Sequence, residues 1–217
     1  MAETPPPLAT EPFTPKQMMP KTAELYKELT GDSSVDAAKH TITHLLPPFA
    51  AHAIIHDNGC GTGEVTQAIM TSNPPEGITI KATDRNQYMI DGCREFATAG
   101  KWPGEATVMP SQSLIFPDNY FTHSFANFFI THLDENHDRA ANNIHRTLKP
   151  GGTAIISTWA TMAHGEPIKR AHLGTRGPDV SFPMGMPTHW YENDALKNFF
   201  IVGGFKKENI NITTCDV

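Results

Sequence analysis

The sequence lacks several features that would assign it to common classes of protein. It has only three cysteines in 217 residues, Cys60, Cys93 and Cys215, and their spacing fits neither a zinc site nor a disulfide framework. Its net charge of −6 and pI near 6.0 give no general attraction to nucleic-acid phosphates or anionic lipid. It has no charged-then-apolar leader and no apolar run long enough to cross a bilayer. We therefore expect a soluble, cytoplasmic protein that binds neither nucleic acid nor membrane.

Internal repeats and metal-ligand spacing are also absent from the sequence. His164, His172 and His189 are not spaced as metal ligands, so we predict no metal site. The length suits one domain that buries roughly 70% of the surface of its unfolded chain. Residues 1–20 are rich in proline and threonine, which predicts a flexible arm, and residues 21–217 form the predicted domain. Within it, residues 160–189 are irregular and predict a lid or a substrate-contacting insert.

A glycine-rich stretch, Asp57-Asn58-Gly59-Cys60-Gly61-Thr62-Gly63, is the main functional signal. It lies between the apolar run 53–55, which predicts a buried strand, and residues 65–70, which have the spacing of a short helix. Glycines at alternate positions permit positive φ and let a ligand approach the backbone. Free N–H groups at the helix start would then favour an anionic group. We expect Asp57 to point its charge into the same crevice and hold a cation.

An acidic residue follows the next predicted strand, residues 78–83. Asp84 lies about 20 positions beyond the glycines, where a carboxylate can accept bonds from both hydroxyls of a ribose. The alternative is a solvated helix cap. Tyr88 or Met89, on the helix predicted for residues 87–96, could pack on a flat base, although each is more often a core residue.

Strands and helices alternate along the rest of the sequence. Further strands are predicted at 106–109, 121–130 and 153–159, and helices at 34–46, 134–148 and 190–202, with Ser33 or Ser34 as the cap of the first helix. Phe205 to Cys215 is predicted as a last strand. This alternation predicts an α/β fold of the Rossmann-like type, a mainly parallel sheet with helices on both faces in three layers.

With these motifs in order, residues from about Val35 to Val217 resemble the class I S-adenosylmethionine-dependent methyltransferases. The glycine stretch matches the first family motif, Asp84 matches the ribose-binding acid, and the junction Leu148-Lys149-Pro150-Gly151-Gly152 is similar to the family's turn before its fifth strand. The resemblance implies S-adenosyl-L-methionine as cofactor and S-adenosyl-L-homocysteine as product. A nicotinamide-dependent dehydrogenase is the rival, but its glycine spacing differs from the one here.

The resemblance also implies which residues contact the cofactor. Many relatives carry an aspartate after the third strand for the adenine amino group, and Ser111 or Gln112 would substitute for it here. The implied cofactor-binding residues are Asp57, Gly59, Cys60, Gly61, Gly63, Asp84, Met89, Ser111, Gln112 and Asn127. Relatives end with a seventh strand that has no counterpart after residue 215. Either the chain is a truncated form, or a neighbouring chain fills the gap in a homodimer, or the sheet is rearranged.

Methyl transfer needs alignment of donor and acceptor more than a dedicated base. His132, after the fourth strand, is the candidate for removing a proton from a hydroxyl or thiol, although a structural histidine is an alternative. Trp159 is a candidate pocket wall. We predict methylation of an O, N or S atom of a small, largely apolar metabolite, and the wording of the motifs resembles methyltransferases of fungal secondary metabolism. The alternatives are a non-catalytic, regulatory relative and a protein or RNA methyltransferase.

Overall fold

A computed structural model describes residues 22–133, 137–161, 165–180 and 192–216. In chain order the helices and strands are α1 (Ala23–Thr30), α2 (Ser33–His40, continued by a π-helical turn at Thr41–Leu45), β1 (Ile54–Asn58), α3 (Glu64–Thr71), β2 (Thr79–Asp84), α4 (Gln87–Gly100), β3 (Gly104–Val108), β4 (Phe121–Ala126), α5 (His137–Thr147), β5 (Leu148–Ile156), α6 (Gly165–Arg176) and α7 (Asn193–Val202). Short 3-10 turns lie at Ser111–Ser113, Ile130–His132 and Lys207–Asn209.

The strands form one parallel sheet in the order β3-β2-β1-β4-β5. Parallel neighbours require crossover connections, and α3, α4 and α5 supply three of them. From β1 the chain continues to β2, which pairs with one edge of β1, while β4 pairs with its other edge. The carboxyl ends of β1 and β4 therefore flank the point where the strand order reverses, which in open α/β sheets is where ligands bind.

The sheet is covered on both faces. One face packs against α2 and α3 through a cluster that includes Ile55, Ile69, Ile80 and Phe125, and α4 extends this layer through Ile90. The opposite face packs against α5 and α7 through Phe121, Ile144, Leu148 and Phe199, among others. Burial of such apolar side chains stabilises the fold by about 1.5–3 kcal/mol each. The α/β fold predicted from the sequence is thus confirmed, with helices on both sides of the sheet.

Five of the six predicted strands are present, with small shifts at their ends. The fourth strand is shorter than expected and ends at Ala126. The fifth is assigned from Leu148, but only Leu148 and the residues from Thr153 onward pair with β4, so the Lys-Pro-Gly-Gly segment is a bulge between them.

Three expectations were wrong. Residues 205–215 do not form a strand, because the backbone N–H groups of Asn209 and Ile210 bond back into a 3-10 turn and the following residues are irregular. The described sheet therefore ends at β5. Residues 165–176, expected to be irregular, form α6. Asp32 rather than Ser33 or Ser34 occupies the N-cap of α2, and its side chain makes no capping bond. Residues 1–20 and the remainder of the 160–189 insert, at 162–164 and 181–189, lie outside the described residues.

Candidate functional site

The glycine turn joins β1 to α3 at the carboxyl edge of the sheet. Gly59, Gly61 and Gly63 all have positive φ, at +73°, +55° and +102°, a conformation that side chains disfavour. Gly63 is the N-cap of α3. A Cβ atom at Gly63 would lie 3.2 Å from the Sγ atom of Cys93, so α4 packs directly beneath the turn. The sequence-predicted strand, glycine turn and helix are therefore present.

The N–H groups of the turn are engaged by the protein. Gly59 and Cys60 both donate to the carbonyl oxygen of Thr83, at 2.7 and 2.9 Å, and Gly63 donates to the carbonyl of Cys60 at 2.9 Å. These bonds join the turn to β2 and fix its shape. They also mean that these three N–H groups do not face outward towards a ligand, contrary to the expectation from sequence.

Two carboxylates accept the remaining N–H groups of the turn. Gly61 donates to Oδ2 of Asp84 at 3.2 Å. Thr62 donates its backbone N–H to Oε2 of Glu64 at 3.1 Å, and its hydroxyl bonds to the other oxygen of the same carboxylate. Burial raises the pKa of Glu64 and Asp84, while their hydrogen bonds oppose that shift. Glu64 was not singled out from the sequence, where it reads as an ordinary acidic residue in the first turn of a helix.

Asp84 lies beside the glycine turn, as the sequence predicted. Besides the bond from Gly61, its Oδ1 atom accepts the backbone N–H of Asn86 at 2.8 Å. This second bond lies at the start of α4, where a helix cap was the alternative prediction for Asp84. The carboxylate is partly accessible and spans the turn and the start of α4, so it can both shape the crevice and bind a ligand.

Asp57 turns into the protein rather than into the crevice. It is 1% exposed, and its Oδ2 atom accepts the backbone N–H and the hydroxyl of Thr66 at 3.1 and 2.7 Å. Burial raises the pKa of Asp57 to about 7 despite these bonds, and the nearby Glu64 contributes. Asp57 thus fixes the start of α3 from inside. The predicted direct contact of its charge with a cation does not fit this position.

A phenylalanine covers the first glycine. A Cβ atom at Gly59 would lie 2.7 Å from Cδ2 of Phe129, so the ring rests directly on the turn. The turn is therefore covered on the Gly59 side. Gly61 and Asp84 still lie next to each other. Phe129 follows β4, and its position over the turn could not be predicted from the sequence.

The segment after β4, Asn127–His132, runs from β5 to β2 across the carboxyl edge. Asn127 donates through Nδ2 to the carbonyl of Ser34 at 2.9 Å and accepts a bond from the hydroxyl of Ser157. The N–H of Phe128 donates to the same hydroxyl at 3.1 Å, and its ring stacks on Trp159 with centroids 4.1 Å apart. Asn127 thus joins α2, β4 and β5, and both ends of its amide are engaged.

His132 lies at the other end of this segment. Its backbone carbonyl accepts a bond from Nη1 of Arg85 at 3.2 Å, and its ring is close enough to Asp84 for a charge interaction. Loss of hydration lowers the pKa of His132, and the Arg85 guanidinium lowers it further. The lowered pKa favours the neutral imidazole near pH 7, the protonation state that a general base requires.

The predicted adenine-side residues differ in accessibility. Met89 is 6% exposed and packs into the core under α4, whereas Tyr88 is 37% exposed and interacts with Asp84. Tyr88 is therefore better placed than Met89 to contact a flat base. Ser111 is 5% exposed, and its hydroxyl accepts a bond from Nδ2 of Asn58 at 2.8 Å. Gln112, next to it, is half-buried.

Two further properties bear on the class of site. In the described ranges, no group of three or more His, Cys, Asp or Glu side chains is arranged to hold a metal ion. None of the described helices combines the length and apolar character needed to span a membrane.

The fold and the site define a Rossmann-like domain that binds a nucleoside-containing cofactor, because a glycine turn after the central strand meets an acid at the end of the next one. Residues 56–156 match the family described as a methyltransferase domain. The chain is 26% identical over 206 residues to the methyltransferase tpcH of Aspergillus fumigatus, covering 90% of this chain and 68% of tpcH. It is 30% identical over 103 residues to the ubiquinone/menaquinone biosynthesis C-methyltransferase UbiE of Bordetella avium, covering 48% and 40% of the two chains.

Among solved structures, the methyltransferase in complex with the Haloferax volcanii Trm112 activator superposes with a TM-score of 0.60 at 17% identity, covering 88% of this chain and 81% of that one. At this identity the likeness concerns the fold. The methyltransferase-domain match and the tpcH relative support a class I S-adenosylmethionine-dependent methyltransferase. S-adenosyl-L-methionine is its cofactor.

Proposed function

We propose that this enzyme transfers a methyl group to an O, N or S atom of a small, largely apolar metabolite in the cytoplasm. The observation that carries the proposal is the contact between Asp84 and Gly61, which joins the candidate ribose-binding acid to the glycine turn. Two parts of one extended ligand can be held there at once.

We expect the cofactor to occupy the crevice, with some residues in roles other than those predicted from the sequence. The ribose hydroxyls would bond to Asp84, and the base would lie towards Tyr88, Met89 and residues 111–112. Because Asp57 is buried, Glu64 is the acid that would face the ammonium of the methionine part. Gly59, Cys60, Gly61 and Gly63 would shape the crevice, while Asp57 and Asn127 would fix the elements around it.

Charge supports this placement. Glu64 and Asp84 lie on either side of the turn, and the nearby cations are Lys27 and Arg85. S-adenosyl-L-methionine carries a net positive charge through its sulfonium and ammonium groups, whereas the demethylated product is neutral overall. The two carboxylates would interact favourably with the cationic groups of the methyl donor, while Lys27 and Arg85 offset part of their charge.

When bound, the cofactor supplies an activated methyl group with a good leaving group. The protein contributes alignment and the exclusion of water. Phe128, Phe129 and Trp159 form an apolar wall at the carboxyl ends of β4 and β5. His132 would remove the proton if the acceptor is a hydroxyl or thiol, since its lowered pKa keeps the imidazole neutral at pH 7.

The class of acceptor rests on this apolar wall and on the relatives. The names of tpcH and UbiE describe methyltransferases, and UbiE acts in quinone biosynthesis as a C-methyltransferase. A small, apolar acceptor suits the aromatic side chains near the turn. Secondary metabolism is the setting we infer for it.

A homodimer through the β5 edge is part of the proposal. In the described sheet β5 pairs only with β4, so its other side presents unpaired backbone groups. Sedimentation over a concentration series would show a monomer–dimer equilibrium. A monomer at all concentrations would contradict it.

Calorimetry followed by product analysis tests the proposed function. The protein should bind S-adenosyl-L-methionine and transfer its methyl group to an apolar component of a metabolite extract, detected by mass spectrometry with labelled methyl. His132→Ala should slow transfer to hydroxyl or thiol acceptors without weakening cofactor binding. Binding without transfer to any extract component would instead favour a regulatory relative.

A further inference from the structure

Arg146, in the last turn of α5, holds the segment 111–118 by binding two of the segment's carbonyl groups and one of its carboxylates. Its Nη1 atom donates to the carbonyl of Phe116 at 2.8 Å and to Oδ1 of Asp118 at 2.7 Å. Its Nη2 atom donates to the carbonyl of Leu114 at 3.0 Å. The planar guanidinium offers five donors in a fixed geometry, which suits it to bind several acceptors of one loop.

Asn143, one turn earlier on α5, holds the start of the same segment. Its Nδ2 atom donates to the carbonyl of Ser111 at 3.1 Å, and its Oδ1 atom accepts from Nη2 of Arg146 at 3.0 Å. From the sheet side, Asn58 binds the hydroxyl of Ser111. The two α5 residues and Asn58 therefore fix the segment from opposite sides, and we call these three residues the clamp.

The clamped segment begins next to Asp84. The N–H of Met109 donates to the backbone carbonyl of Asp84 at 2.8 Å, and a tight turn follows in which the N–H of Ser113 bonds to the carbonyl of Pro110. The segment thus leaves the sheet beside the acid that we assign to the ribose. A base attached to that ribose reaches this turn.

The chemistry of the turn limits how a base can be recognised. The segment contains no acidic residue between Met109 and Phe116, and the Ser111 hydroxyl is buried and already bonded to Asn58. Besides main-chain groups, the polar side chains of the turn other than Ser111 are those of Gln112 and Ser113. A main-chain group can discriminate between bases only if the loop that carries it is held still, because a loop that shifts can adapt to either pattern of donors and acceptors.

We infer that Asn143 and Arg146 are positioning residues that give this methyltransferase its selectivity for adenine, by holding residues 111–118 rigid in place of a base-contacting acid. The inference rests on the proposed cofactor placement. The two residues act through the loop and do not themselves touch the cofactor.

The test compares two ligands that differ only in the base. S-adenosyl-L-homocysteine has an amino group on the base, and S-inosyl-L-homocysteine has a carbonyl group instead. Wild-type protein should prefer the adenine ligand in calorimetry. Asn143→Ala and Arg146→Lys should reduce the ratio of the two affinities about tenfold, because Lys cannot bind three acceptors in one plane.

Asn142→Ala is the matched control, because Asn142 is the neighbouring residue on the same helix and is exposed. It should leave the ratio unchanged. Thermal unfolding of each variant, measured in parallel, separates folding from binding. Even if Arg146→Lys unfolds at a lower midpoint temperature, the tenfold reduction in the affinity ratio is still expected.

Suppose that the wild-type protein binds the adenine ligand but both variants bind the two ligands with an unchanged affinity ratio. That result would overturn the positioning role alone. If the wild-type protein bound neither ligand, the cofactor placement itself would be wrong. These two failures are distinguished by the wild-type measurement.

Discussion

Gly59 and Gly151 have nearly the same backbone conformation but different surroundings. Their φ angles are +73° and +77°, yet a Cβ at Gly59 would meet the ring of Phe129 while a Cβ at Gly151 would meet nothing within 4 Å. Gly151→Ala should lower the free energy of unfolding by about 1–2 kcal/mol, the cost of the left-handed conformation. Gly59→Ala should cost about 1–3 kcal/mol more, because it also overpacks the turn.

Urea unfolding of the two variants checks this difference. Equal losses would show that Phe129 moves aside without cost. Calorimetry with S-adenosyl-L-homocysteine should show weakened binding for Gly59→Ala alone.

Asp84 should be the acid on which cofactor affinity depends most. Asp84→Ala removes the acceptor for the ribose and frees the N–H of Gly61, so binding of S-adenosyl-L-homocysteine should weaken by about 1.5–3 kcal/mol. Asp91→Ala, on the exposed side of α4, serves as the control and should bind normally. Calorimetry gives both values. Unchanged affinity in Asp84→Ala would remove the ribose assignment.

His56 and Asp57 are adjacent, fully buried and shifted in opposite directions. Burial lowers the pKa of His56 from 6.5 to about 3 and raises the pKa of Asp57 from 3.8 to about 7. The stability that His56 contributes is present above its unfolded pKa and is lost as the pH falls towards 3. The stability that the protonated Asp57 contributes is present below its unfolded pKa and is lost as the pH rises towards 7. Between about pH 4 and 6.5, the rise in stability with pH due to His56 and the fall due to Asp57 cancel.

Asp57→Asn should therefore expose the dependence due to His56. Its free energy of unfolding should rise by about 2 kcal/mol between about pH 4.5 and pH 6.5, relative to the change in the wild-type protein. Urea titrations at the two pH values provide the measurement. The same pH dependence in variant and wild type would mean that Asp57 is ionised across this range.

Residue roles were predicted best where a motif fixes the backbone. The glycine turn and Asp84 could be placed together because strand ends in a parallel sheet meet at one edge. The inward orientation of Asp57 could not be predicted, since it depends on the Thr66 donors one turn into α3. Glu64 and Phe129 carry no motif, and their relevance depends on distances that only the fold defines.

At the scale of elements, the segment 127–132 covers the glycine turn at Gly59 through the ring of Phe129. Phe129→Ala should have two effects of opposite sign. Stability should fall, because the ring also packs against the cluster under α5. Association of S-adenosyl-L-homocysteine should become several-fold faster, because no ring has to leave Gly59.

Stopped-flow fluorescence measures the association rate. Val202→Ala is the control, because Val202 is a 48% exposed apolar residue at the end of α7. Slower or weaker binding in Phe129→Ala would indicate that the ring contacts the ligand directly.

Most elements could be predicted from periodicity, since buried strands and amphipathic helices have distinct patterns. The segment 205–215 shows the limit of that approach. Its Ile and Thr residues favour extended backbone, but a strand forms only when a neighbour accepts its hydrogen bonds. In α6, the Gly and Pro residues at 165–167 suggested a loop, yet they occupy the first turn, where they are tolerated.

For the whole molecule, ligand binding should be visible as added stability. S-adenosyl-L-homocysteine at about 100 times its dissociation constant should raise the free energy of unfolding by about 2.7 kcal/mol. For a chain of this size the unfolding midpoint should rise by roughly 5–10 °C. Scanning calorimetry with and without the ligand tests this, and Asp84→Ala at the same ligand concentration should show a smaller shift.

The fold class followed from the order of the motifs, because strand–helix alternation leaves few topologies for a parallel sheet. How the sheet ends did not follow, since an edge is defined by what fails to pair with it. β5 is the last strand of the described sheet, while the expected sixth is a 3-10 turn and irregular chain.

Phe128 holds a left-handed backbone, with φ at +48°, while its ring lies on Trp159. Glycine would relax the main chain there but would remove the ring, and any larger side chain would keep the distortion. No single exchange improves both properties at once. Replacing Phe128 alone therefore trades the ring contact with Trp159 against backbone strain, and enlarging the proposed acceptor site would require changes at both Phe128 and Trp159.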